Sequence, residues 1–247
     1  MKKNIYSVIY KDEHLIIVNK TAGLLTVPDR WDGNAPNLAE LLTKEICNNE
    51  NAKIYTVHRL DKDTSGLIVY ALTSEAHKIL SLNFSNKNIK KIYHAFILGK
   101  PEKDNFFCDA PLLPDGDKMH RTIISAKNGK ESFTEFTVLK KIGNFSLIEA
   151  RPITGRTHQI RVHLKHAGFP ILCDCLYGKG QAVYLSNLKN NWSGDRFTEK
   201  PLLNRLALHA YSLEFEHPIQ NKTISLTAEY PKDFRSFLFQ IEKLANG

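Results

Sequence analysis

VHRLDKDTSGLIVYAL, residues 57–72, places Asp61 and Asp63 among His58, Arg59, Lys62, Thr64 and Ser65, then turns at Gly66 into an apolar run. Three chemistries compete for that pattern. Asp61, Asp63, Ser65 and Gly66 copy the first half of a calcium loop, which wants oxygen ligands at alternate positions and then a glycine. The loop should end in a bidentate glutamate, but Leu72 stands there, and Leu67 to Tyr70 read as a strand where a helix should follow. Paired aspartates of a phosphoryl-transfer loop usually follow a continuous apolar strand, whereas here His58 and Arg59 directly precede Asp61. The third reading makes one carboxylate a nucleophile, set between a strand and a turn and held by nearby cations.

Outward from this loop, Ile54 to Val57 is a short strand leading in and Leu67 to Leu72 the strand leading out, so Asp61 lies in a loop between two buried strands. Such a loop is a rigid place for a reacting group. Residues 5–19 read as two strands around the polar turn KDEH. Asn37 caps a helix over about 38–46, with Glu40 three residues on. Ser74 to Phe84 carries Ala76, Ile79, Leu80 and Phe84 on one helical stripe. KKIYHAFILG, residues 90–99, alternates as a strand, and residues 132–152 form a hairpin with Phe136 and Val138 on one face. THQIRVHLKHAG, residues 157–168, predicts a short helix with Thr157 as cap and Gly168 as terminator. Two further strands, 206–215 and 223–228, and a helix after Pro231 complete the chain. Antiparallel strands with scattered helices give the α+β class. No linker divides the 247 residues, so one catalytic domain is expected over 1–247, with a polar surface insertion at 179–204.

The chain has 34 Lys and Arg against 26 Asp and Glu, a formal charge of +8 that favours a polyanionic partner. Its start, MKKNIYSVIYKDEHLIIV, has neither the long apolar centre nor the small-residue cleavage site of an export signal. No apolar run approaches a membrane span. A cytoplasmic protein is expected. Cys47, Cys108, Cys173 and Cys175 are too few for a disulfide framework. Cys173 and Cys175 beside His166 and Asp174 give only a weak metal pattern, and buried free thiols are the expected state.

A second cluster lies in RPITGRTHQIRVHLKHAG, residues 151–168, where Arg151, Arg156, Arg161 and Lys165 bracket His158, Gln159, His163 and His166. On a helix, Arg161 and His158 share a face, as do Arg161 and Lys165. A solvated basic face and an acidic partner both fit that stripe. One of its cations could serve as the counter-charge that keeps Asp61 ionised. Tyr93 is by default a core aromatic. Its functional reading is a platform for a nucleobase.

HRLDKDTSG (58–66), KIYHAFILG (91–99), RPITGRTHQIRVHLKHAGFPI (151–171) and RLALHAYSLEFEHP (205–218) resemble, in that order, the signature segments of the RluA family of pseudouridine synthases. LIIVNKTAGLLTVP, residues 15–28, is similar to the family's first segment, and the likeness runs from about residue 5 to 235. The resemblance implies the pseudouridine synthase fold, a long mixed and mostly antiparallel sheet flanked by helices with a central catalytic cleft. It implies isomerisation of uridine in RNA by base flipping, with no metal and no cofactor. Asp61 matches the catalytic aspartate, Arg161 the arginine that pairs with it, Tyr93 the tyrosine against the target base, and Arg59 the arginine that fills the space left by the flipped uridine. His58, Thr64, Arg156, His158 and Gln159 fall in the same segments and are expected to contact RNA. The expected partner is structured RNA, ribosomal or transfer, bound by a monomer without membrane or obligate protein partner.

Three departures stand out. Thr21 replaces the family's usual proline, which should loosen a turn, and Cys173 stands where glycine is commoner. The small RNA-binding module of the S4 type that many members carry in front is absent from this sequence, so selection should fall to the basic cleft and the insertion. A noncatalytic RNA-binding protein on the same scaffold is the runner-up. A glycosidase would want a second carboxylate across a cleft, a role with no evident candidate beside Asp61.

Overall fold

A computed structural model describes residues 5–28, 33–46 and 53–245. In chain order the elements are β1 (Tyr6–Lys11), β2 (Leu15–Lys20), α1 (Leu38–Ile46), β3 (Tyr55–Thr56), β4 (Ser65–Ala71), α2 (Ser74–Ser85), β5 (Lys90–Leu98) and β6 (Asn105–Cys108). There follow β7 (Leu112–Leu113), β8 (Ile123–Ile124), β9 (Thr134–Ile142), β10 (Phe145–Pro152), α3 (Gln159–His166), β11 (Leu208–Glu216), β12 (Thr223–Thr227) and α4 (Lys232–Ala245). The chain forms two compact units, Met1–Lys91 with Ala210–Glu229, and Ile92–His209 with Tyr230–Gly247.

In the first unit the strands run β1-β2-β4-β11, with β3 on β4 and β12 on β11. The pairs β1–β2, β2–β4, β3–β4 and β11–β12 are antiparallel. Both β2 and β4 are almost wholly buried, as expected of strands that read as continuous apolar runs rather than alternating ones. Their side chains join Ala76 and Leu80 of α2 and Leu213, Phe215 and Ile224 in one core. Asn37 caps α1 as expected, its Oδ1 accepting the Glu40 N–H at 3.0 Å, and Thr73 caps α2 through Ala76. Cys47 lies outside the described residues.

Strand β4 begins two residues earlier than the apolar pattern suggests, at Ser65. Gly66 permits this. Its φ is +113°, and a β-carbon there would sit 2.2 Å from the carbonyl oxygen of Ala210. Gly66→Ala therefore combines a disfavoured backbone with overpacking against another strand's main chain, for an expected loss of about 2–4 kcal/mol. Urea denaturation should show a lower midpoint with an unchanged slope.

In the second unit the order is β5-β10-β9-β6, antiparallel at each pair. Phe96 of β5 packs against Phe234 and Phe237 of α4, with ring centroids 4.4 and 4.8 Å apart. Helix α3 departs from expectation at its start. It begins at Gln159 and is preceded by His158 in the left-handed region, φ 55°, with no side-chain cap. Thr157 is exposed and does not cap the helix. At the far end Gly168, φ +88°, follows the last turn as expected.

The polar stretch 179–204 is only partly a surface insertion. Phe197 is fully exposed, but Leu203 is completely buried and Val183 pairs with it. The apolar Leu202 and Leu203 draw the end of the stretch into the core, while its Asn- and Lys-rich middle stays in solvent.

Candidate active site

In the first unit, the loop carrying Asp61 is fixed on both sides of that residue. On the leading side, the Thr26 hydroxyl donates to the Leu60 carbonyl at 2.8 Å and accepts the Leu60 N–H at 3.2 Å. The Tyr70 hydroxyl holds the Thr26 carbonyl in turn. On the trailing side, the Lys62 carbonyl accepts from the Gly23 N–H at 2.9 Å and from the ammonium of Lys20 at 3.0 Å. Lys20 is 0% exposed, and its Nζ also donates to the carbonyls of Thr21 and Leu24. A buried charge is tolerated only when its donors are met. Here those donors clamp the turn beside Asp61. The Asp61 carbonyl closes the loop by accepting the Thr64 N–H at 3.1 Å, and Asp61 itself is half-exposed.

Lys20→Met keeps the apolar stem and strips three carbonyls of a charged donor. The expected cost is about 2–4 kcal/mol. Chemical denaturation checks it, and an unshifted midpoint would show that the ammonium holds nothing.

Of the expected RNA contacts in this unit, only Arg59 is exposed, while Thr64 is buried. His58 stacks on Phe84 with centroids 4.4 Å apart, and its Nε2 accepts the Val69 N–H. Burial, aided by the nearby charge of Lys91, depresses the imidazole to about 3. A neutral ring that props β4 is what that geometry supplies, not a cation for phosphate.

In the second unit, Arg161 on α3 is 7% exposed and makes a two-pronged pair with Asp174, from Nε to Oδ2 and Nη2 to Oδ1, both at 2.8 Å. Asp174 also accepts the N–H groups of Leu176 and Tyr177. Burial pushes its carboxyl up, but the Arg161 guanidinium and those N–H groups outweigh burial and hold it below the usual carboxylate range. The Arg161 guanidinium lies 5.0 Å from the centre of the Tyr177 ring. The Tyr177 hydroxyl accepts the Thr122 N–H and bonds His158 Nδ1. Tyr93, half-buried on β5, packs beside the unit's core and pairs in register with Ala150.

Gln159, expected at the RNA surface, is 3% exposed with its amide fully used. Its Oε1 accepts from the Thr154 hydroxyl and the Arg156 N–H, and its Nε2 donates to the Phe133 carbonyl and the Thr134 hydroxyl. It ties β9 to the loop before α3. Arg156 is half-buried, its Nε donating to the Glu131 carbonyl. Asp174 is the residue that sequence reasoning did not place in the site. It stands thirteen positions from Arg161 with no helical or strand period linking them. One signal was present, since Cys173 occupies a place where glycine is commoner and adopts φ 58°.

Cys108 and Cys173 are buried free thiols, while Cys175 is free and exposed. Burial raises the Cys173 thiol to about 11. Among the described residues no three His, Cys, Asp or Glu side chains gather as a metal site would require, and no helix is long and apolar enough to cross a membrane.

The family model described as RNA pseudouridylate synthase matches residues 14–166. The chain is 35% identical over 246 residues to "Ribosomal large subunit pseudouridine synthase D" of Zymomonas mobilis, covering 97% of this chain and 73% of that protein. It is 34% identical to "Dual-specificity RNA pseudouridine synthase RluA" of Salmonella typhi, covering 92% and 93%. Among solved structures, "Human RNA Pseudouridylate Synthase Domain Containing 4" superposes with a TM-score of 0.72 at 23% identity, over 96% of this chain and 93% of that one, which shows the shared fold.

Proposed function

The chain belongs to the RNA pseudouridylate synthase family, and on that footing we propose that it converts particular uridines of ribosomal or transfer RNA into pseudouridine, with Asp61 as the reacting carboxylate. The reaction breaks the bond between N1 of uracil and C1′ of ribose, turns the base, and joins C5 to C1′. The proton lost from C5 is balanced by the one gained at N1, so atoms and electrons are conserved within the nucleotide. Such a rearrangement needs no redox partner and no group donor, hence no cofactor. Asp61 either attacks the sugar or removes a proton from it, and both routes need an ionised, positioned carboxylate.

In this reading Arg161 is the arginine assigned to serve the reacting carboxylate, and Tyr93 is the ring against the target base. Arg59 enters the space that the flipped uridine leaves, a step needed because the reacting atoms are hidden in the stack. Arg156 and His158 remain RNA-facing candidates, and the working form is a single cytoplasmic chain. The observation that carries the proposal is the family match over 14–166, a span that includes Asp61, Tyr93 and Arg161. The clamped loop around Asp61 supports it.

The test is incubation of purified protein with unmodified ribosomal and transfer RNA transcripts, followed by carbodiimide labelling and mapping of reverse-transcription stops. New stops at discrete uridines are expected. A complete lack of them in both RNAs would overturn the proposal and favour a noncatalytic RNA-binding protein.

A further inference from the structure

Within the second unit, the Tyr177 ring has two cationic neighbours. Arg161 is one, held by Asp174, and Lys165, one helical turn on, is the other, with its Nζ 6.0 Å from the ring centre. Tyr177 and Lys165 also line a cavity of about 370 Å³ together with Arg121, Thr122, Ile124 and Val162. The walls differ in chemistry. Ile123, Ile124 and Val162 are apolar, while Arg121, Lys165 and His166 supply donors. The carboxylate at the rim, Asp117, is already engaged by Arg121 Nε at 2.8 Å and by the N–H groups of Met119 and Arg121. Arg121 is further fixed by donating to the Leu176 carbonyl at 3.1 Å. Exposed Lys165 therefore leaves an excess of positive charge beside an apolar slot.

That combination fits a nucleotide better than a free anion or an acidic peptide. An apolar wall faces a base, and a fixed guanidinium with an ammonium faces its phosphate. The volume lies within the range of small-ligand sites. We propose that this cavity receives a nucleotide of the RNA substrate, with its base against Ile124 and Val162 and its phosphate toward Lys165 and Arg121. The inference rests on the activity proposed above and deepens it by placing part of the sequence choice on Tyr177 and Ile124. Tyr177 is shared between the slot and Arg161, so an occupant there reads out at the guanidinium assigned to the reaction.

The experiment uses full-length wild-type protein and Lys165→Gln with an unmodified large-subunit ribosomal RNA transcript. Binding is measured by filter retention across a salt series, and ultraviolet cross-links are mapped by tryptic mass spectrometry. Lys165→Gln should bind roughly three- to tenfold more weakly, with the slope of log affinity against log salt reduced by about 0.7–1. Wild-type cross-links should fall on Thr122–Lys127 or His166–Lys179. Wild-type slope and affinity in Lys165→Gln, with RNA bound and isomerised but no cross-link on either peptide, would overturn the subsite alone. Cross-links there with no pseudouridine formed would overturn the activity on which it rests while keeping the cavity as an RNA site.

Discussion

Asp61→Asn is expected to abolish uridine isomerisation, lowering turnover by on the order of 10⁴-fold, the usual scale for loss of an essential catalytic group. The substitution keeps the volume and one oxygen but removes the charge that attacks ribose or accepts its proton. The fold should not follow. Its loop is pinned through neighbouring residues, by Thr26 to Leu60 and by Lys20 and Gly23 to Lys62, and the main-chain carbonyl of Asp61, which accepts the Thr64 N–H, is untouched by the substitution. The melting midpoint should stay within roughly 2 °C of wild type, as for half-exposed positions in general. Single-turnover assays on a mapped substrate check the first part and calorimetry the second. Undiminished turnover would remove this carboxylate from the chemistry.

Asp174→Ala should damage both stability and turnover. It leaves the Arg161 guanidinium, 7% exposed, without its two-pronged acceptor, and two main-chain N–H groups without theirs. Stripping one partner from a buried pair costs about 3–5 kcal/mol. For a chain of this length that corresponds to a fall in melting midpoint of roughly 10 °C. Turnover should fall as well, because the Arg161 guanidinium loses the two-pronged pair that fixes its orientation. The wild-type pair also carries a pH signature. The Asp174 carboxyl is held below its ordinary value, so the unfolded chain binds the proton more readily than the folded one. Its contribution to stability is full above the usual carboxylate range and is lost as pH falls through the depressed folded value. Asp174→Asn should flatten that part of the acid-denaturation curve, and an unchanged curve would mean the carboxylate is not the titrating group.

The parts of the fold that were legible are those where local chemistry and burial agree. Continuous apolar runs gave β2 and β4, Asn37 announced α1, and a helical stripe gave α2. What could not be read is where polar side chains are turned inward by tertiary contacts. Lys20 looks like a surface lysine in VNKTAG, yet its ammonium closes a turn. Gln159 and Thr64 look like RNA contacts in a polar motif, yet both are buried. Thr21 was expected to loosen its turn by replacing proline. Instead its N–H donates to the Ile5 carbonyl at 3.1 Å, a bond proline could not make, and its hydroxyl adds a second. In each case the partner is remote or lies across a turn, where no period in the sequence records it.

His158 shows what such a site permits under mutational drift. Its left-handed backbone and its ring bond to Tyr177 make separate demands on one position. Glycine meets the first and forfeits the second, glutamine could restore a polar reach at a torsional penalty, and valine or isoleucine meets neither. A saturation library at this codon should therefore be sorted by backbone tolerance before side-chain chemistry, with branched residues depleted first even in cells that do not need the enzyme's product but only its soluble accumulation.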